Sequence, residues 1–130
     1  MITPSLNAGL SMLQALTLFI DQGSANATFV FYNDIKPSNV NIPADEMARL
    51  VTMELPKPCF KRLKNNSVEL HPTNEGTIVK TGKAIWARLY NGEGDAVMDF
   101  DCAVDMTLDT ADLVMGASYD LDSIELFPSV

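Results

Sequence analysis

The feature that most constrains the fold is the stretch Ala84 to Asp101, AIWARLYNGEGDAVMDFD. Apolar and polar residues alternate on both sides of the turn sequence Asn91-Gly92-Glu93-Gly94. Residues that alternate with period two point to opposite faces of a strand, and Asn-Gly favours a tight reversal because it accepts positive φ. The sequence therefore predicts a central β-hairpin over about residues 82–103.

The rest of the chain predicts many short strands behind one leading helix. Leucines recur at helical spacing from Leu6, through Leu10 and Leu13, behind a cap at Thr3 or Ser5, which predicts a helix over about residues 5–21. Strand patterns follow over 27–33 and 47–55, with shorter ones in SVELH and GTIVKTG, and loops rich in proline or basic residues lie between them. The fold prediction is a single mainly β domain over 1–130. It is an antiparallel β-sandwich or flattened barrel over about 27–127, with one N-terminal α-helix.

Charge is distributed unevenly along the chain. All nine Lys and Arg residues lie at or before Arg88, among seven acids, whereas the segment from Leu89 onward has ten acids and no base. The two segments carry +2 and −10, which sum to the net charge of −8. Such an acidic surface repels phosphate backbones and argues against nucleic-acid binding, and it suits contact with a basic protein surface.

Asp99 and Asp101 are the first candidates for chemistry. They share one strand face, as a general acid–base pair or a pair of metal ligands would. Their own face carries only Val97 and Ala103 as apolar neighbours, which is too little to form a water-excluding cleft. A solvent-facing row of acids is the favoured interpretation, with a metal site and a catalytic pair as the alternatives.

The sequence does not match the spacing of other known metal-binding or catalytic motifs. Asp105, Asp109 and Asp112 do not match the ligand spacing of an EF-hand loop, and His71 is the only histidine. The chain has no phosphate-binding glycine motif and no nucleophile motif. The sequence therefore predicts no enzyme, no catalytic residue, no cofactor and no metal.

Trp86, Arg88 and Tyr90 alternate along one strand and allow two interpretations. An exposed stripe of aromatic and arginine side chains could bind a carbohydrate or anchor a protein interface. Alternatively, Trp86 belongs to the core and Arg88 covers it as a stacked cation.

Neither the cysteines nor the N-terminus changes the predicted fold class or function. Cys102 lies in the strand-like segment FDCAV, which indicates a small core hydrophobe, and a disulfide between Cys59 and Cys102 is the alternative. The run LSMLQALTLFI resembles a secretion signal but lacks a basic start, and Gln14 interrupts it. We expect neither export nor a membrane span.

In the hairpin and the segments around it, the chain resembles a group of short β-rich proteins encoded among the virion structural genes of tailed bacteriophages and prophages. In that group a leading helix ends near D-x-G, and a strand of the form G-x-A-x-W-x-R precedes a glycine turn and A-V-x-D. A final segment of the form S-x-x-L closes the pattern. The matching segments here are Ile20–Gly23, Gly82–Tyr90, Ala96–Asp99 and Ser123–Leu126. The match covers most of the chain, although the middle, about residues 34–78, departs from the pattern.

The resemblance implies a non-enzymatic virion component that assembles in the host cytoplasm. A capsid decoration or cement protein is the expected role, with a head–tail connector, collar or tail component as the alternative. A carbohydrate- or peptide-binding module is the second alternative. The expected partners are other virion proteins, in the capsid, neck or tail, and further copies of the chain. The candidate interface residues are Leu6, Leu10, Leu13, Lys57, Lys61, Arg62, Lys64, Trp86, Arg88 and Tyr90.

Overall fold

The structure, a computed structural model, describes residues 4–128 and contains one α-helix followed by short β-strands. All paired strands are antiparallel, in one four-stranded, one three-stranded and two two-stranded sheets. The predicted class, mainly β with one N-terminal helix, is confirmed, and the sandwich or barrel arrangement stays a prediction. The elements are α1 (Leu6–Ile20), β1 (Thr28–Tyr32), β2 (Arg49–Glu54), β3 (Phe60–Leu63), β4 (Val68–Leu70), β5 (Gly76–Thr77), β6 (Gly82–Lys83), β7 (Trp86–Tyr90), β8 (Ala96–Asp101), β9 (Asp112–Leu113), β10 (Ser118–Tyr119) and β11 (Ile124–Leu126), with one 3-10 turn at Glu46–Ala48.

Helix α1 begins and ends where its sequence signals predict. The hydroxyl of Ser5 accepts a hydrogen bond from the Ala8 N–H at 3.2 Å, which satisfies one of the free amides of the first turn. Just beyond the helix, Gly23 takes the left-handed conformation with φ 108°. Leu10 and Ile20 are buried in the main core, and this fixes the helix against the strands.

The four-stranded sheet has the order β2-β1-β7-β8, and one of its faces forms much of the main core. Phe29 of β1 lies between Met53 of β2 and Leu89 of β7, and all three side chains are fully buried. The helix and the three-stranded sheet, ordered β11-β4-β3, contribute the rest of this core.

The opposite face of the same sheet is also covered, by the long loop over 34–48. Val30, Tyr32 and Trp86 form a second buried cluster with Ala48, and Ala44 packs against it. The inner strands β1 and β7 are therefore buried on both faces. Their sequences read as nearly continuous apolar or aromatic runs for this reason.

Two parts of the predicted element map are wrong. The basic connection Lys57–Lys64, predicted to be irregular, contains strand β3. Its pairing with β4 shifts register between Phe60 and Arg62, and this shift obscures the alternation in the sequence. The strand predicted over Gly82–Tyr90 is divided into β6 and β7 because β6 pairs with β9 while β7 pairs with β1 and β8.

The hairpin of β7 and β8 is confirmed, but its turn works differently from a two-residue Asn-Gly reversal. The glycine with positive φ is Gly94, at 89°, and the side-chain oxygen of Asn91 accepts hydrogen bonds from the Glu93 and Asp95 amides. Gly92 is needed for space instead. A Cβ atom there would overlap the carbonyl oxygens of Gln22 and Ala25, just after helix α1.

We expect Gly92→Ala to lower the free energy of unfolding by about 1–3 kcal/mol, because backbone atoms must move to admit a methyl group. Glu93→Ala is the matched control, since its side chain is exposed in the same turn. It should change stability by less than about 0.5 kcal/mol. Urea unfolding of both variants measures the difference. Equal stabilities would contradict the close approach of Gly92 to the carbonyl oxygens of Gln22 and Ala25.

Candidate functional site

The densest group of polar and aromatic side chains lies under the loop 34–48, on the second face of the four-stranded sheet. We call Tyr32, Trp86, Arg88, Tyr90 and Asp99 the arginine cluster. Strand β7 supplies three of them at alternate positions, while β1 and β8 supply one each. Because alternate residues of one strand share a face, the strand register alone brings the group together.

Arg88 is the centre of the arginine cluster and only 2% of its surface is exposed. Its Nε donates to one carboxylate oxygen of Asp99 at 2.6 Å, and its Nη2 donates to the other at 3.0 Å. The remaining Nη1 donates to the carbonyl oxygen of Ile42 at 2.7 Å. The hydrogen bonds to Asp99 raise the pKa of the guanidinium further above its ordinary range. One side chain therefore binds the edge strand and the covering loop together.

The aromatic members stack around this ion pair. Trp86 stacks on the ring of Tyr32 with 4.5 Å between ring centroids, and the Arg88 guanidinium lies 5.1 Å from the Trp86 centroid. The indole N–H donates to Asp34 at 2.7 Å, which is a second tie to the loop. The hydroxyls of Tyr32 and Tyr90 are hydrogen-bonded at 2.8 Å. Burial and that hydrogen bond raise the pKa of Tyr32, which therefore stays neutral.

This arrangement corrects two sequence predictions. The acid row was expected to face solvent, but the Asp99 side chain is 8% exposed and both of its oxygens accept from Arg88. Trp86 and Arg88 are buried, and the interpretation of Trp86 as core with Arg88 as its cover is confirmed. Their assignment to an exposed interface stripe is wrong, and only Tyr90 is partly exposed.

Asp101 differs from Asp99. One of its carboxylate oxygens accepts from the Ala103 N–H at 2.9 Å, and its own N–H donates to Asp105 at 2.7 Å. The two carboxylates thus hold the turn after β8. Asp99 and Asp101 occupy adjacent positions on one strand face and serve two separate structural contacts.

The basic strand β3 is paired within the chain. Arg62 donates to Glu69 at 2.6 Å, and Lys61 and Lys64 lie 3.7 Å and 3.9 Å from the same carboxylate. Lys64 also forms an ion pair with Glu125 of β11. The hydrogen bond from Arg62, assisted by the lysine charges, holds the pKa of Glu69 below its usual range. Three of the basic candidate interface residues, Lys61, Arg62 and Lys64, are therefore partly neutralised by carboxylates of the same chain.

The remaining candidate interface residues are divided between core and surface. Leu10 is 4% exposed and belongs to the core, which makes its assignment to an interface wrong. Leu13 is partly buried against the same core, whereas Leu6 is 41% exposed. Lys57 is exposed and donates to the carbonyl oxygen of Gly23 at 2.7 Å, which braces the end of the helix.

Both cysteines are free and buried, and the alternative of a disulfide between them is therefore wrong. Burial raises the pKa of the Cys59 thiol to about 12, assisted by the negative charge of Asp21, and burial likewise raises the pKa of Cys102 to about 12. Thiols held protonated in this way are poor nucleophiles and poor metal ligands.

Residues 4–128 contain neither a metal-binding cluster nor a membrane-spanning helix. No group of three or more His, Cys, Asp or Glu side chains within that range could hold a metal ion. Over the same residues, no helix is both long and apolar enough to cross a bilayer.

The second candidate for a functional site is a groove on the other side of the four-stranded sheet from the arginine cluster. It lies between β8 and β11 and has a volume of about 350 Å³. Phe100 contributes to the lining from β8, and Val104, Asp105 and Phe127 line it from the segments after β8 and β11. Sequence reasoning did not find this groove because its two sides are separated by more than twenty residues along the chain.

Comparisons with known proteins add no assignment. No family model matches the chain, and it has no match among curated proteins or solved structures.

We expect Asp99→Asn to lower the free energy of unfolding by about 3 kcal/mol, because it leaves the charge of Arg88 buried without a counter-ion. Asp101→Asn is the matched control on the same strand face. It weakens only an exposed turn contact and should cost about 1 kcal/mol or less. Chemical denaturation of both variants measures the contrast. Equal losses would show that Asp99 is as solvated as Asp101.

Proposed function

We propose that this chain is a non-enzymatic structural protein of a tailed-bacteriophage virion, and that its role is capsid decoration. The resemblance of the segments Ile20–Gly23, Gly82–Tyr90, Ala96–Asp99 and Ser123–Leu126 to proteins of that class supports the virion assignment. Its partners in this proposal are capsid subunits and further copies of the chain, assembled in the host cytoplasm.

The observation that carries the proposal is how the molecule uses its reactive side chains. The groups most suited to catalysis or ligand binding serve the fold: Arg88 binds Asp99, Arg62 binds Glu69, and Cys59 is buried. Large apolar side chains are meanwhile exposed at several places on the surface. They include Met12, Leu18, Ile35, Met47, Val104, Val114, Met115 and Phe127. Two of them, Val104 and Phe127, line one groove, and apolar side chains grouped in this way mark surfaces that meet other proteins.

The connector alternative differs in where the protein sits on the particle. A collar, neck or tail component is present in a few copies fixed by the symmetry of the tail. A decoration protein is present in a number of copies comparable to that of the capsid subunits. Copy number therefore distinguishes the two roles without any assumption about the fold.

The test uses particles from a phage or prophage that encodes the chain, compared with particles from which its gene has been removed. We expect quantitative mass spectrometry to find the chain in many copies per particle, and imaging to show density lost from the capsid exterior only. Lost neck or tail density with an intact exterior would overturn decoration and favour the connector. Absence of the chain from purified particles would overturn the virion role.

Removing residues 1–22 is not a suitable test of particle binding. Leu10, Thr17 and Ile20 are buried within that segment, and its deletion would expose the main core. Single substitutions at exposed helix positions keep the fold. Leu18→Glu is suitable because the Leu18 side chain is 71% exposed.

A further inference from the structure

The two edges of the four-stranded sheet differ, because the edge strand β2 is covered by another segment of the chain and the edge strand β8 is not. On the far side, the segment after β4 covers β2: the Asn74 N–H donates to the Glu54 carbonyl and the Val79 N–H to the Leu50 carbonyl, both at 2.8 Å. Within residues 4–128, no strand pairs with the outer edge of β8 or of β11. These two unpaired edges border the groove described above, and open edges are sites where another chain can add.

The backbone of β8 shows which groups point outward, and those of Asp101 are already bonded within the chain, since its carbonyl oxygen accepts from the Asp105 N–H at 2.8 Å. The Cys102 N–H points inward to the Ile85 carbonyl at 3.1 Å, whereas the Asp101 N–H points outward to Asp105. By alternation, the amide and carbonyl of Asp99 also point outward. Asp99 as a whole is more exposed than its 8% exposed side chain, which means that its main chain supplies part of the open surface.

Apolar side chains stand along this open surface. Val104 is 79% exposed and Phe127 is 58% exposed, and both line the groove above the buried Phe100. Leu13 of helix α1 and Leu126 close the floor beside them. Phe127 also lines a wider extension of the groove, about 660 Å³, that reaches the turn after β3. It therefore lies at the middle of one continuous surface.

The two ends of that surface carry opposite charge. At one end lies Asp105, which forms no salt bridge with any residue in 4–128. At the other end Arg62 and Lys64 line the groove, and these two cations with the neighbouring Lys61 meet only two carboxylates, Glu69 and Glu125. The groove therefore runs from an acidic end, past Val104 and Phe127, to a basic end.

We propose that the occupant of this groove is a second copy of the chain, related by a two-fold axis near Phe127. A two-fold rotation lays the acidic end of one copy on the basic end of the other and brings the exposed apolar side chains of both copies together. A partner of uniform charge would meet a like charge at one end, so a second copy fits the surface better. The contact does not depend on the virion role, because it is a property of the purified protein.

Sedimentation of the purified chain tests the contact. We expect reversible dimers as the concentration rises from about 1 µM to about 200 µM, and an increase of the dissociation constant in high salt. Val104→Glu adds a charge at the apolar centre of the contact and should raise the dissociation constant about tenfold or more. Val114→Glu is the matched control, 61% exposed and outside the groove, and should leave it unchanged. Thermal melting of both variants verifies that they are folded.

A single cysteine tests the symmetry. A residue beside a two-fold axis meets its own copy, and Phe127→Cys should therefore form a disulfide-linked dimer under mild oxidation. Val114→Cys should not, and the native thiols are buried in both variants. A chain that stays monomeric throughout the concentration range would overturn the inference. Dimers weakened equally by both glutamate variants, or equal cross-linking of both cysteine variants, would also overturn it.

Discussion

The buried ion pair between Arg88 and Asp99 is the interaction on which the rest of the structure depends. An unpaired guanidinium on the inner strand β7 would be costly, and only a carboxylate from the neighbouring strand can satisfy two of its donors at once. That requirement fixes the register of β8 on β7. The third donor reaches Ile42 and holds the loop 34–48 over the aromatic rings. One side chain thus specifies the hairpin and closes the second face of the sheet.

The sequence predicted the local elements well, because their signals are local. Helix α1, β1, β2 and the hairpin of β7 and β8 follow from spacing, capping and alternation over a few residues. Whether the face that carries Asp99 is buried or exposed could not be predicted in this way, because the loop 34–48 that covers it is distant in sequence. The pairing itself left a signal: Arg88 and Asp99 lie opposite each other once the hairpin is closed at Asn91–Gly94. Strand β3 was missed because its bulge breaks the alternation.

The molecule divides its chemistry between an inward and an outward surface. Charged and aromatic groups that could have formed a ligand site are used to secure the loop and the three-stranded sheet. The open edges of β8 and β11, with Val104 and Phe127 between them, belong to the surface that the chain presents outward. Such a division suits a protein whose work is contact with other subunits, and it is consistent with the acidic charge that follows Leu89.

Hydrogen exchange on the double variant Arg88→Met with Asp99→Leu tests the central claim most directly. Replacing both partners by apolar side chains avoids an unpaired charge, and global stability should change little. The loop nevertheless loses the donor to Ile42. We predict that the Asn33 amide, which donates to the Ala48 carbonyl, and the Ala48 amide exchange about tenfold faster or more, while Phe31 and Leu89 stay protected. Unchanged protection at Asn33 and Ala48 would show that the loop closes the sheet without the arginine, and would contradict this account.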